Sequence, residues 1–227
     1  MFFPMRHAPP RLFTYLAKAA ALAAIVAACH DTVGVGACFE DGLPYNYALN
    51  GDTSLVFRWP ASSQPVLVYA EPVGMLSQNT GTAAARWLAA LRCGELSIAL
   101  VTDSTIADVI IRNPSSAPPA PPAGVVLAAD SIDACGGRTD GVLDSTNTLT
   151  GPLRSYVFPV GIDSTDLAGC YRMVTIHELG HALGILNHSP DTLDIMYSQP
   201  RRGTLSPADR VTVQYLYHDA PTIRPQP

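Results

Sequence analysis

Charged residues are scarce in this 227-residue chain, and no stretch of it gathers positive charge. Asp, Glu, Lys and Arg make up 15 % of the sequence, and the formal net charge is −5. A protein that binds nucleic acid needs a basic stripe or patch to meet the phosphates. Nucleic acid is therefore not an expected partner. The length allows one domain with a substantial core.

The apolar run near the N-terminus is too short to cross a membrane. It covers residues 19–28 and follows the basic residues Arg6, Arg11 and Lys18. Ten residues are about half of what a membrane-spanning helix needs. Basic residues followed by a short apolar run are typical of a secretory signal. We predict a signal peptide at residues 1–28.

The end of this run, Val26-Ala-Ala-Cys29, resembles the lipobox of bacterial lipoproteins. The resemblance implies that Cys29 is acylated and becomes the first residue of the mature protein. The protein would then be exported and held at the membrane of a bacterial cell envelope by this lipid anchor. The alternative is an ordinary signal peptide cleaved after Ala28, which would give a secreted protein.

Cysteine is also rare, with five residues in the chain. Setting Cys29 aside leaves an even number, which in an exported domain indicates two disulfides. The disulfide candidates are Cys38, Cys93, Cys135 and Cys170. Four cysteines allow three connectivities, and the sequence does not choose among them.

The most informative motif is His-Glu-Leu-Gly-His at residues 177–181. On a helix, His177 and His181 are separated by about 400° of rotation, so both imidazoles project from one face. This spacing suits the first two nitrogen ligands of a tetrahedral zinc ion. Glu178 follows the first ligand directly, where its carboxylate can reach a zinc-bound water without binding the metal. The motif predicts a zinc hydrolase.

A third histidine can reach the same ion only if the helix ends before it. In a continuous helix His188 would lie roughly 10 Å along the axis beyond His181, too far for zinc–nitrogen bonds of about 2 Å. Gly184 can end the helix by adopting a left-handed conformation. Either the helix breaks at Gly184 or His188 is not a ligand.

These residues resemble the metzincin metallopeptidases, and among them the matrixin-like bacterial members. The metzincin signature is H-E-x-x-H-x-x-G-x-x-H followed by a methionine turn. Met196 in Asp-Ile-Met-Tyr resembles the turn methionine. The chain departs from the signature in one place, because Asn187 stands where the third histidine is expected. We interpret the loop as one residue longer, with His188 as the ligand.

The resemblance implies a zinc-dependent endopeptidase, with His177, His181 and His188 as metal ligands and Glu178 as general base. Met196 would form an apolar floor beneath the metal. The substrates would be extracellular or envelope proteins, whose peptide bonds the enzyme would hydrolyse. The protein itself is expected to be a monomer. The alternative function is a catalytically inactive, lipid-anchored protein that binds zinc or serves in adhesion.

The chain contains no glutamate after Glu178. This excludes thermolysin-like peptidases, whose third ligand is a downstream glutamate. Asp191 and Asp194 remain possible ligands by their proximity in sequence. The second, structural zinc of animal matrixins needs further histidines, and only His30 and His218 are left outside the leader. One catalytic Zn²⁺ is therefore expected; Ca²⁺ is possible but the sequence does not indicate it.

A second resemblance concerns Arg92-Cys-Gly94, which is similar to part of the switch peptide that keeps matrixin zymogens latent. In that peptide a cysteine thiolate occupies the open position of the zinc. The proline of the peptide is replaced here by Leu91. We favour a structural disulfide for Cys93.

The resemblance implies an α+β fold: a metzincin-like zinc peptidase domain at residues 55–218, with a twisted mixed β-sheet, an active-site helix and a C-terminal helix. Residues 29–54 are interpreted as a tether and lead-in, and residues 219–227 as a tail. Residue patterns predict helices at 80–92 and 206–217, and an active-site helix that begins near 167 or 171. They predict strands at 55–59, 66–69, 96–100, 108–112, 124–127 and 156–158.

Overall fold

The computed structural model of the protein describes residues 38–48, 56–114, 128–129, 135–143, 149–159 and 164–218. The predicted signal peptide, Cys29, most of the lead-in, the tail and the predicted strand at 124–127 lie outside these residues. The described helices and strands all belong to one compact unit, Phe39–Pro227. No helix in the described ranges is long and apolar enough to cross a membrane.

Six strands form one mixed sheet in the order β2-β1-β3-β6-β5-β4. Strands β1, β2, β3 and β6 run parallel, whereas β5 is antiparallel to β6 and β4 is antiparallel to β5. The mixed sheet with its helices confirms the predicted α+β class. The strands are β1 (Val66–Ala70), β2 (Ile98–Val101), β3 (Val109–Arg112), β4 (Ala128–Ala129), β5 (Cys135–Leu143) and β6 (Leu149–Pro159).

Three α-helices accompany the sheet in the described residues: α1 (Leu76–Ala90), α2 (Ser164–Ala182) and α3 (Pro207–His218). Helices α1 and α2 pack against each other, α1 contacts β1 and β2, and α2 contacts β5 and β6. The fully buried Trp87 lies at the α1–α2 contact, where its indole N–H donates to the carbonyl of Ile176 at 2.9 Å. This bond satisfies the polar atom of a large apolar side chain and fixes α2 against the core.

The strand predicted at 55–59 is wrong within the described residues, because 56–60 are neither helix nor strand. Phe57 and Trp59 are both 2 % exposed. Their apolar side chains are therefore part of the core, although the segment is not a strand. The indole of Trp59 donates to the carbonyl of Ala182, the last residue of α2, at 2.8 Å. This segment covers the C-terminal end of α2 instead of joining the sheet.

Strand β5 is absent from the sequence prediction, and β6 is much longer than the predicted 156–158. Helix α2 also begins earlier than predicted, at Ser164. The nine residues of β5 include three glycines and no alternating apolar pattern. Strand β5 is formed by its pairing with β6 and not by its own β-propensity.

Disulfides involve all four of the candidate cysteines. One joins Cys135, at the start of β5, to Cys170 in α2, across 35 residues. Cys38 and Cys93 are also disulfide-bonded. The sulfur of Cys93 is therefore not a thiolate that could act as a latency switch. Closing a loop of 35 residues stabilises the fold by roughly 4 kcal/mol in the chain-entropy model.

Candidate metal centre

The first two histidines of the motif lie one turn apart on α2 and face the same side. Both His177 and His181 are completely buried. Their ring centroids are 4.6 Å apart, and their Nε2 atoms are 2.9 Å apart. The i, i+4 spacing therefore brings two imidazole nitrogens to one point, as the helix geometry predicts.

The other nitrogen of each ring fixes its tautomer. Nδ1 of His177 lies 2.6 Å from the carbonyl oxygen of Ile195, and Nδ1 of His181 lies 2.6 Å from that of Ile185. A carbonyl oxygen only accepts, so each Nδ1 carries a hydrogen and donates it. In the neutral ring Nε2 is then an acceptor with a lone pair.

Two facing lone pairs at 2.9 Å repel each other unless a cation lies between them. Zinc–nitrogen bonds of 2.0–2.1 Å at tetrahedral angles would place these atoms about 3.3 Å apart. A small outward movement of the rings gives this spacing. The carbonyl partners of Nδ1 are also the usual outer contacts of metal-binding histidines. The donor set fits zinc.

Helix α2 ends at Ala182, before His188. This is what binding of His188 to the same ion would require. Gly184 has a φ of +110°, and its N–H donates to the carbonyl of His181 at 3.0 Å while that of Ile185 donates to Gly180 at 3.1 Å. This pair of bonds is the Schellman pattern of a helix C-terminus with glycine at C′. The hydroxyl of Tyr217 donates to the carbonyl of Leu183 at 3.0 Å, which satisfies a further carbonyl of the helix end.

The turn returns His188 to the first two rings. Its ring centroid lies 5.4 Å from that of His177 and 5.0 Å from that of His181. One nitrogen of each of the three rings lies within 4.8 Å of the others. The side chain of Asn187 is used locally, since its Oδ1 accepts the N–H of His188 at 2.9 Å.

The two candidate aspartates are engaged elsewhere in the loop. The carboxylate of Asp194 accepts the hydroxyl of Ser189, and Oδ1 of Asp191 accepts the N–H of Leu193 at 2.9 Å. Neither aspartate belongs to the cluster of the three histidines. The structure thus brings together the three histidines and leaves the aspartates outside.

Met196 is fully buried beneath the helix that carries the histidines. A Cβ atom on Gly180 would lie 2.5 Å from its sulfur and 2.8 Å from the ring of Trp87. Glycine at this position lets the methionine turn approach the helix closely. The carbonyl of the preceding Ile195 is the acceptor for His177, so the turn and the first histidine are directly linked.

Asp209 in the first turn of α3 hydrogen-bonds to the methionine turn, a role that was not predicted from the sequence. Its carboxylate accepts the backbone N–H groups of Ile195 at 2.9 Å, Met196 at 3.4 Å and Ser206 at 2.7 Å. The hydroxyl of Ser206 accepts the N–H of Asp209 at 3.0 Å, which completes a capping box.

The carboxylate of Asp209 is completely buried, and the hydroxyl of Tyr45 donates to it at 3.0 Å. Burial raises the pKa of Asp209, although the N–H groups of Ile195 and Ser206 oppose this shift. Burial, together with the charge of Asp209, raises the pKa of Tyr45 well above its usual value. Tyr45 therefore remains a hydrogen-bond donor. The Ser-x-x-Asp spacing of the capping box was the available sequence signal for Asp209.

Glu178 is completely buried between α2 and β5. Its Oε2 accepts the hydroxyl of Thr139 at 2.6 Å. A Cβ atom on Gly137 would overlap Oε1 of the same carboxylate. Two residues of β5 thus define where this carboxylate lies, and neither was identified from the sequence.

Residues 137–218 match the family model of the matrixins. Over this segment the chain is similar to the matrixins. The matched part includes Thr139 on β5, all of β6, the three histidines, the methionine turn and α3. Strands β1 to β3 and helix α1 lie before it. No curated protein matches the chain. The match supports a zinc-dependent metallopeptidase, as the zinc-fitting histidines do.

Replacing the third histidine tests the departure from the metzincin signature. We expect His188→Ala to weaken zinc binding by at least about 10²-fold, because a nitrogen ligand is lost from a three-ligand site. Asn187→Ala is the matched control and should keep stoichiometric zinc. Zinc content after dialysis against a competing chelator measures both. Retained zinc in His188→Ala, with loss in Asn187→Ala, would contradict this assignment.

Proposed function

We propose that this protein is a zinc-dependent endopeptidase that cleaves polypeptides of the cell envelope or its surroundings. The observation that supports it is the convergence of three imidazoles, of which the first two have their Nε2 atoms 2.9 Å apart. Three neutral nitrogen ligands leave a fourth position open, which is the arrangement of catalytic zinc sites.

Zinc in this site would supply Lewis-acid chemistry, by lowering the pKa of water and polarising the scissile carbonyl. The protein supplies the remaining functions. The carbonyls of Ile195 and Ile185 keep His177 and His181 in the ligating tautomer. The carboxylate of Glu178 takes the proton of the attacking water and returns it to the departing amine.

The burial of Glu178, the residue that follows a ligand in sequence, is what distinguishes this proposal from a purely structural zinc site. A structural site has four protein ligands and needs no buried carboxylate beside them. Here a glutamate adjacent in sequence to a ligand is fully buried and hydrogen-bonded at one oxygen. The envelope location of the substrate follows from the predicted leader and Cys29 and stays a prediction from the sequence.

Metal removal tests the proposed function. The purified protein should cleave internally quenched peptides whose two ends are blocked, because an endopeptidase needs no free terminus. A zinc chelator should abolish the activity, and one equivalent of zinc should restore it. A non-chelating isomer of the same compound is the control. Protein that holds stoichiometric zinc and cleaves neither these peptides nor unfolded proteins would instead be the inactive zinc-binding protein.

A further inference from the structure

Strand β5 presents a notch to the carboxylate of Glu178. Gly137 and Thr139 are two residues apart on this strand, so they share the face that meets α2. The space that a side chain at Gly137 would fill is occupied by Oε1 of Glu178. The hydroxyl of Thr139 is 2.6 Å from Oε2. One oxygen of the carboxylate thus occupies the space beside Gly137, and the other accepts the hydroxyl of Thr139. We call this space the notch of β5.

The direction of the hydrogen bonds in this notch follows from proton counting. An ionised carboxylate only accepts. Oε2 of Glu178 at 2.6 Å is closer to the hydroxyl of Thr139 than the backbone carbonyl oxygen of Glu178 at 3.2 Å, so the single hydroxyl proton goes to the carboxylate. The hydroxyl of Ser155, paired with Thr139 in the β5–β6 register, lies 2.9 Å from it. Since the proton of Thr139 is already used, Ser155 donates to Thr139. The hydroxyls of Ser155 and Thr139 therefore form a chain of hydrogen bonds that ends at the carboxylate of Glu178.

Ser155, Thr139 and Glu178 are all completely buried. Water does not compete for the bond between Thr139 and Glu178, and in a buried site such a charge-assisted bond is strong and directional. A glutamate side chain otherwise has three rotatable bonds. A general base must be within hydrogen-bond reach of the proton that it takes, and a misplacement of about 1 Å can cost as much as 10²-fold in rate.

We propose that Thr139 is a positioning residue, which fixes the Glu178 carboxylate for proton transfer in the notch that Gly137 leaves open. This inference rests on the proposed peptidase function. Thr139 does not touch the histidines in this role; it acts through Glu178.

Thr139→Val tests the inference, because valine keeps the shape of threonine and removes the hydroxyl. We expect kcat to fall about 10- to 100-fold, with KM within about twofold and zinc content unchanged. Thr139→Ser, which keeps the hydroxyl, should recover most of kcat. Wild-type kcat in Thr139→Val, or no recovery in Thr139→Ser, would overturn the proposal.

Thr175→Val is the matched control. Thr175 is completely buried on α2 three residues before Glu178, and within the described ranges its hydroxyl has no hydrogen-bond partner. The same substitution there should leave kcat unchanged. An equal loss of kcat in Thr175→Val would attribute the effect to packing around α2 and would overturn the role of Thr139.

A stability measurement separates this inference from the proposed function. The urea midpoint of the metal-free protein is measured with and without Thr139→Val, in the wild-type background and in a Glu178→Leu background. Thr139→Val should lower the midpoint at least about twice as much in the wild-type background, because only there can Thr139 hydrogen-bond to the carboxylate. Equal shifts would overturn the inference. An inactive wild-type protein in which this coupling is present would refute the peptidase function alone.

Discussion

Glu178→Gln is expected to lower kcat/KM about 10²- to 10⁴-fold, the usual contribution of a general base, without changing the zinc content. Glutamine has the same shape, and its carbonyl oxygen can still accept the hydroxyl of Thr139. The variant therefore keeps the packing of the buried site and loses the ability to take a proton. Steady-state hydrolysis of a quenched peptide, with metal analysis of the same sample, measures both quantities.

Glu71→Gln is the control for this substitution. Glu71 accepts the N–H of Asn113 at 3.0 Å and belongs to neither the histidine cluster nor the notch of β5. Its kcat/KM should equal that of the wild type. If Glu178→Gln kept activity, the base would lie elsewhere. If it lost zinc together with activity, the carboxylate would be required for the metal site and not for proton transfer.

The local part of the site is predictable from sequence because helix geometry converts spacing into position. A separation of four positions places the rings of His177 and His181 on one face of the helix. His188 cannot reach the same ion along a continuous helix, so its ligation requires a break at Gly184. The structure has this break, with the φ of Gly184 at +110°. These inferences need only the rise and rotation per residue.

The distant part of the site was not predictable, because it depends on pairs far apart in the chain. Thr139 and Glu178 are separated by 39 residues, and no local pattern marks their contact. Asp209 lies 14 residues after Ile195, whose N–H it accepts. Its spacing from Ser206 indicates a capping box, but not that the same carboxylate also holds the methionine turn.

Strand β5 was missed for a different reason, which lies in its own residues. Glycine lowers strand propensity, and Gly136 and Gly137 remove the apolar signal on which the prediction depends. A Cβ atom at Gly136 would lie 2.8 Å from the ring of Phe158, and one at Gly137 would displace Glu178. Glycines inside a strand mark close approach of neighbouring groups. Gly137 thus both weakens the sequence signal of the strand and makes room for the carboxylate of Glu178.

Gly184→Ala is expected to destabilise the fold by about 4 kcal/mol or more, in the range reserved for severe core defects. A φ of +110° is unfavourable for a residue with a Cβ atom. That atom would also overlap the carbonyl oxygen of Phe57, which belongs to the segment covering the end of α2. Relief requires moving either this segment or the turn that carries His188. Zinc affinity should therefore fall together with the urea midpoint.

Gly169→Ala, on the same helix, should have the opposite effect. Gly169 lies inside α2, and a Cβ atom there would meet nothing within 4 Å. Alanine should stabilise the protein by about 0.5–1 kcal/mol, because it is the better helix former and restricts the unfolded chain. Equal midpoints for the two variants would contradict the account of the helix end. A destabilised Gly184→Ala with wild-type zinc affinity would show that His188 reaches the metal without this turn.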